Sequence, residues 1–78
     1  MKFKRILKRN VYPTWTSKTR WAKGCKVYIY YIPDMNYYHF HIDYNGVIIY
    51  MSLNDDIKFN SFEECRLVAE EWIRKENM

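Results

Sequence analysis

Asn45-Gly46 stands between two apolar-rich runs, Tyr37 to Tyr44 and Val47 to Leu53, and this dipeptide constrains the fold more tightly than any other feature of the chain. A type I′ turn needs positive φ at both central residues, which asparagine and glycine tolerate best, so the stretch reads as a β-hairpin. A two-residue loop sets the register. Tyr44 is expected opposite Val47, Ile42 opposite Ile49, Phe40 opposite Met51 and Tyr38 opposite Leu53. By the period of two these residues share one apolar face. The other face carries Tyr37, His39, His41 and Asp43, opposite Asn54, Ser52, Tyr50 and Ile48. A slip by one residue would turn the polar set inward.

The run Cys25 to Ile32 extends this hairpin. Pro33-Asp34-Met35-Asn36 has turn chemistry, proline fixing φ and Asp and Asn bonding their own backbone. Ile32 then meets Tyr37 and Cys25 meets Tyr44. Cys25, Val27, Ile29 and Tyr31 join the apolar face, and Lys26 falls across from Asp43 as an opposite-charge pair.

Toward the C-terminus, Ser61 is an N-cap candidate with Glu64 completing a capping box. Glu63 and Glu64 in the first turn, and Arg74 and Lys75 in the last, suit the helix dipole. Glu70–Arg74 and Glu71–Lys75 have (i, i+4) spacing. Phe62, Cys65, Val68, Ala69, Trp72 and Ile73 form an apolar stripe, with Leu67 on the polar side. The expected fold is therefore α+β: a three-stranded antiparallel sheet over about residues 25–32, 37–44 and 47–53, with one helix over about 62–75 packed on one face. Ile57 and Phe59 are expected to tuck inward from the connector. Residues 1–24 form a basic segment ahead of this 25–78 unit, within a single domain overall. Their periodicity fits either a helix or an irregular strand before Pro13, and a loop or ragged strand after it.

At 78 residues the chain buries a modest core, which its 19% aromatic content reinforces. No run approaches a membrane span, and the basic start lacks the apolar stretch of a secretory leader. Two cysteines without such a leader point to free thiols and a cytoplasmic location. Charge is uneven. Residues 1–26 hold nine of the 13 Lys and Arg and no acid, while all nine acids follow. That asymmetry suits a polyanion, or else a solvated surface that balances the acidic helix.

Four constellations bear on function. Trp15 and Trp21 lie among Lys18, Arg20 and Lys23, and rings interleaved with cations are what single-stranded nucleic acid needs; sealing the core is the alternative role for either Trp. Two Cys and two His invite a zinc reading, but strand parity sends His39 and His41 outward and Cys25 and Cys65 inward, and one tetrahedral ion cannot bridge a sheet. No metal or other cofactor is expected. His39, His41, Asp43, Tyr28 and Tyr50 could serve as an acid–base cluster, as in a small ribonuclease with a strand histidine as base. Last, the outer sheet face, with Lys26, Tyr28, Tyr30, Ile32, Tyr37, His39, His41, Asp43, Ile48 and Tyr50, needs a cover, either residues 1–24 or a partner.

The stretch Phe59-Asn-Ser-Phe-Glu-Glu-Cys65 resembles the start of the helix in AP2-type domains and integrase arm-binding domains. The resemblance covers about residues 25–75 in arrangement and about seven residues in motif. It implies three antiparallel strands followed by a helix, with the sheet in the DNA major groove. Lys26, Tyr28, Tyr30, His39 and His41 would then occupy the reading face, although those families use Arg, Lys and Trp there. The leading expectation is a non-enzymatic nucleic-acid-binding protein, for DNA or RNA. Lys4, Arg5, Lys8, Arg9, Lys18 and Arg20 would contact phosphate, and Trp15, Trp21, Tyr28 and Tyr30 would stack on bases. The competing expectation is a protein that binds and inhibits a host factor, because the chain resembles small bacteriophage or mobile-element proteins of the anti-CRISPR or host-takeover type. Tyr and Trp anchors would then carry the affinity.

Overall fold

A computed structural model of the chain describes residues 3–6, 12–18 and 24–76. Five strands form one antiparallel sheet in sequential order: β1 (Lys4–Ile6), β2 (Thr14–Lys18), β3 (Cys25–Ile32), β4 (Tyr37–Tyr44) and β5 (Val47–Met51). A 3-10 turn (Ser52–Asp55) leads to helix α1 (Phe62–Glu76). The class is α+β as expected, but the sheet has five strands, not three. The basic segment supplies the other two. β2 pairs along β3 from Thr14↔Tyr30 to Lys18↔Lys26, and β1 pairs with β2 through Arg5↔Trp15. An unpaired β3 edge would leave its amides and carbonyls open, and β2 satisfies them.

The β3–β4 hairpin has the expected register throughout, from Ile32↔Tyr37 to Cys25↔Tyr44. Its turn closes through Asn36 N–H to Ile32 O at 2.8 Å, with Asn36 at φ 56° and accepting from the Tyr31 hydroxyl at 2.6 Å. The β4–β5 turn has Asn45 at φ 51° and Gly46 at φ 87°, as a type I′ turn requires. Gly24, at φ 88°, packs beneath this turn, and a Cβ there would lie 2.6 Å from Asn45 Oδ1. At Gly46 a Cβ would meet nothing. Gly46→Ala is expected to lower the melting temperature by about 4–16 °C, from the roughly 1–2 kcal/mol cost of a left-handed L-residue. Gly24→Ala should lower it further, because the Asn45 side chain must also move. A thermal melt followed by circular dichroism compares the two, and equal shifts would contradict the packing.

β5 departs from the expected register. Tyr44↔Val47 and Asp43↔Ile48 pair, but then Ile42 meets Tyr50 and His41 meets Met51, with a β-bulge that leaves Ile49 unpaired. One extra residue reverses parity. Tyr50, expected on the outer face, turns to the helix side, stacked on Trp72 at 5.0 Å and tilted on Phe40 at 5.6 Å. Its hydroxyl donates to Asp55 at 2.7 Å. β5 ends at Met51, not at residue 53. Leu53 is exposed, and Phe59 takes the place expected for it, bonding Tyr38 in both directions at 2.7 and 3.2 Å. Phe59 is buried as expected, whereas Ile57 is exposed.

Ser61 caps α1 by accepting from Glu64 N–H at 3.1 Å. Cys65, Ala69 and Ile73 are fully buried against Cys25, Val27, Ile29, Phe40 and Ile42 of the sheet. Phe62 and Trp72 close the two sides of this core, Phe62 against Phe3 and Trp15, Trp72 against Tyr50. Val68, expected within the stripe, sits at its exposed margin, and Glu70 is buried on the other margin. Glu70 accepts from Arg66 at 2.9 Å, and Lys75 pairs with Glu71 at 3.0 Å. Among the described residues no helix is long and apolar enough to cross a membrane.

Candidate functional site

Cross-strand register arranges the face opposite α1 into rows. Lys4, Thr16, Tyr28, His41 and Met51 make one row across all five strands. Ile6, Thr14, Tyr30 and His39 make the next, and Lys18, Lys26, Asp43 and Ile48 a third. Partners in a row share a face because Cβ directions alternate along each strand. Their odd-numbered neighbours Val27 and Ile29, with Phe40 and Ile42, fill the core on the other side. Helix α1 packs on the other side of β3 and β4, and the 52–58 connector closes over the His39 end of these rows.

Rings from β3 and β4 form a continuous platform. Tyr28 and His41 are stacked at 4.8 Å, Tyr30 tilts against His41 at 5.9 Å and His39 at 5.8 Å, and Tyr37 meets His39 edge-on at 4.5 Å. Tyr28, Tyr30 and His41 are half-buried, so each retains accessible ring surface. Lys26 is exposed beside Tyr28, and Lys4 is exposed at the β1 end of its row. Lys58 Nζ lies 5.5 Å from the Tyr37 ring centre, which puts a further cation at the opposite margin. Asp43, across from Lys26 as expected, uses its carboxylate to accept from Gly46 N–H at 2.8 Å.

The two histidines differ. His39 is wholly buried at the sheet margin, where the chain continues from β5 into the connector. Ser52 Oγ accepts from Phe40 N–H at 3.0 Å and lies 3.4 Å from His39 Nδ1. Nε2 is buried without a hydrogen-bond partner. Burial lowers the His39 pKa and Lys58 lowers it further, against smaller opposing effects of Asp56 and the Ile57 carbonyl. His41 is half-buried, and its pKa is also lowered by burial, with Asp43 acting the other way. Both rings are therefore neutral at neutral pH, and of the two only His41 offers accessible ring surface.

Trp15 lies on the helix side, half-buried against Phe62 at 5.1 Å and Tyr38 at 6.2 Å, with the Arg5 guanidinium 5.7 Å from its ring centre. Trp15, Arg5 and Tyr50 are thus apart from the ring platform. Lys8, Arg9, Arg20 and Trp21 lie outside the described residues, and Lys18 is placed by its backbone pairing with Lys26. Cys25 and Cys65 are free thiols on the core side, the Cys65 pKa pushed up to about 12 by burial, while the histidines occupy the other side. Among the described residues no three His, Cys, Asp or Glu side chains could share a metal ion. Thr14, Thr16 and Lys58 belong to the face, although the sequence reading did not single them out.

No family model matches the chain, and neither the curated proteins nor the solved structures contain a match to it. The face must be interpreted from its own chemistry.

Proposed function

We propose that this protein binds nucleic acid on the sheet face opposite α1, without catalysing a reaction on it. The observation that carries this reading is the Tyr28–His41 stack in the middle of an open face, with Tyr30 beside it and Lys4, Lys26 and Lys58 at the margins. Rings with free faces stack on bases of any sequence, and cations at their margins follow phosphates. A β-sheet holds its side chains stiffly, so little ordering is needed on binding. The basic residues of the N-terminal segment add an electrostatic attraction that carries no sequence information.

Fluorescence anisotropy with labelled single-stranded DNA, single-stranded RNA and duplex DNA, over a salt series, tests the reading. Affinity is expected to fall steeply with salt. Tyr28→Ala should weaken binding by about fivefold or more, since base stacking is worth about 1–3 kcal/mol. Lys26→Ala should reduce the salt slope by about 0.7 on single strands, one phosphate contact's share. No binding at low salt to any of the three would end the proposal. A preference for duplex would favour the major-groove arrangement implied by the AP2 and integrase resemblance. Shortening of the RNA on incubation would instead favour the ribonuclease reading, with the accessible His41 as its base.

A further inference from the structure

The two edges of the sheet differ in charge and in polarity. β1 carries Lys4 and Arg5 at one edge. β5, at the other, lies within a run from Gly46 to Leu53 that has no charged residue. Monomeric proteins guard exposed edges with lysine, proline or very short strands. Here the edge is apolar: Val47 is 63% exposed, Ile48 and Ile49 each 49%, and Leu53 43%. The apolar margin continues onto the helix. Tyr50 and Trp72 are stacked beneath it, and a shallow cleft lined by Val68, Glu71, Trp72 and Lys75 opens on the same flank of α1.

We infer that this margin, β5 together with the Val68–Lys75 flank of α1, is the interface for a second copy of the chain. Three features favour a copy over another occupant. The β5 edge has no cation, and on the α1 flank Lys75 is balanced by Glu71, so the margin offers little to a nucleic-acid backbone. The run from Gly46 to Leu53 carries no charge, so in an antiparallel pairing of two such edges about a two-fold axis near Ile49 no charge meets its like. Charge on the helices is also self-complementary. The same axis runs the two α1 helices antiparallel, with Glu71 of each copy toward Lys75 of the other. Adjacent strands are about 4.8 Å apart, so helices seated over β4 approach to about 14 Å, within reach of long side chains. The bulge at Ile49 shortens the backbone ladder, and the side chains of the margin carry most of the contact. A stable pair needs roughly 600–1,000 Å² from each copy, more than a five-residue edge offers, and the flank of α1 supplies the remainder. Like charge opposes association at the β1 edge, so pairing closes at two copies.

Sedimentation analysis of the purified full chain, freed of nucleic acid and run over a concentration series, tests this. A dimer is expected. Ile49→Lys, at an exposed position where the monomer loses little, should raise the dimer dissociation constant by at least about tenfold, with the circular dichroism spectrum unchanged. Glu71→Lys should weaken the dimer, and adding Lys75→Glu should restore it. A chain that stays monomeric at millimolar concentration, or a dimer untouched by Ile49→Lys, would overturn the inference. Nucleic-acid binding by the monomer would leave the function proposed above standing while removing this one.

Discussion

Phe40→Ala is expected to cost about 3–5 kcal/mol, a large part of the stability available to a 78-residue chain. Phe40 is essentially fully buried, its ring meets Tyr50 at 5.6 Å and Phe59 at 5.8 Å, and its amide is bonded by Ser52. Truncation removes the ring that joins β4, β5 and the connector, and the aromatic neighbours cannot collapse fully into the space. Ile49→Ala should cost less than about 0.5 kcal/mol in the monomer, as surface changes do. The comparison tests the bulge itself. In an unbulged hairpin Ile49 would face Ile42 in the core, and its truncation would cost about 2–5 kcal/mol. Urea unfolding followed by tryptophan fluorescence measures both. If Phe40→Ala is unfolded in buffer, Phe40→Leu gives the ranking. A loss at Ile49 matching that at Phe40 would show that β5 pairs without the bulge.

That register was not legible in the sequence, for a physical reason. Val47-Ile48-Ile49-Tyr50-Met51 is apolar on both parities, so alternation offers no contrast to choose a face. What decides is tertiary: Tyr50 gains a ring stack on Trp72 and a bond to Asp55, and Ser52 arrives where it can bond Phe40 N–H and His39. The β3–β4 hairpin was legible because two turns, each with its own chemistry, imply the same face. Helix α1 was legible from Ser61 to Lys75 because cap, charge order and stripe coincide. β1 and β2 were not. Three residues of Lys-Arg-Ile and a Thr-Trp-Thr-Ser-Lys run carry too few apolar positions for a period to emerge. Their pairing comes from the β3 edge that they cover.

The β3–β4 parity was read correctly, but His39, expected on the presented surface, is wholly buried there under Ser52 and the connector, and the margins of the face were not legible. Lys58 reaches Tyr37 from a connector whose path no pattern encodes. Trp15 illustrates the opposite limit. A tryptophan among lysines has the composition of a stacking residue, and it nevertheless turns inward because its register partner Ile29 is a core residue. Composition identifies what a ring can do, and register decides which side of the sheet it does it on.

Mild acid is expected to destabilise the protein well before its carboxylates titrate. Both histidines have folded pKa values below the ordinary 6.5, chiefly because burial disfavours the imidazolium. Above pH 6.5 both are neutral in the folded and unfolded chain, and neither affects stability. As pH falls below 6.5 the unfolded chain takes up protons first, so stability falls, by up to about 1.4 kcal/mol per pH unit for each histidine, until the folded pKa is passed. His39 should dominate. It is wholly buried, and Lys58 repels its charged form. Asp56 and the Ile57 carbonyl oppose the shift without reversing it. Urea midpoints between pH 7.5 and 5 measure the slope, since carboxylates titrate lower still. His39→Gln keeps a polar group that can meet Ser52 and has no proton to gain, so its curve should be flatter than that of the parent over this range. Parallel curves would mean that His39 accepts its proton without cost, which a ring sealed between Tyr30, Tyr37 and the Ser52 hydroxyl cannot do.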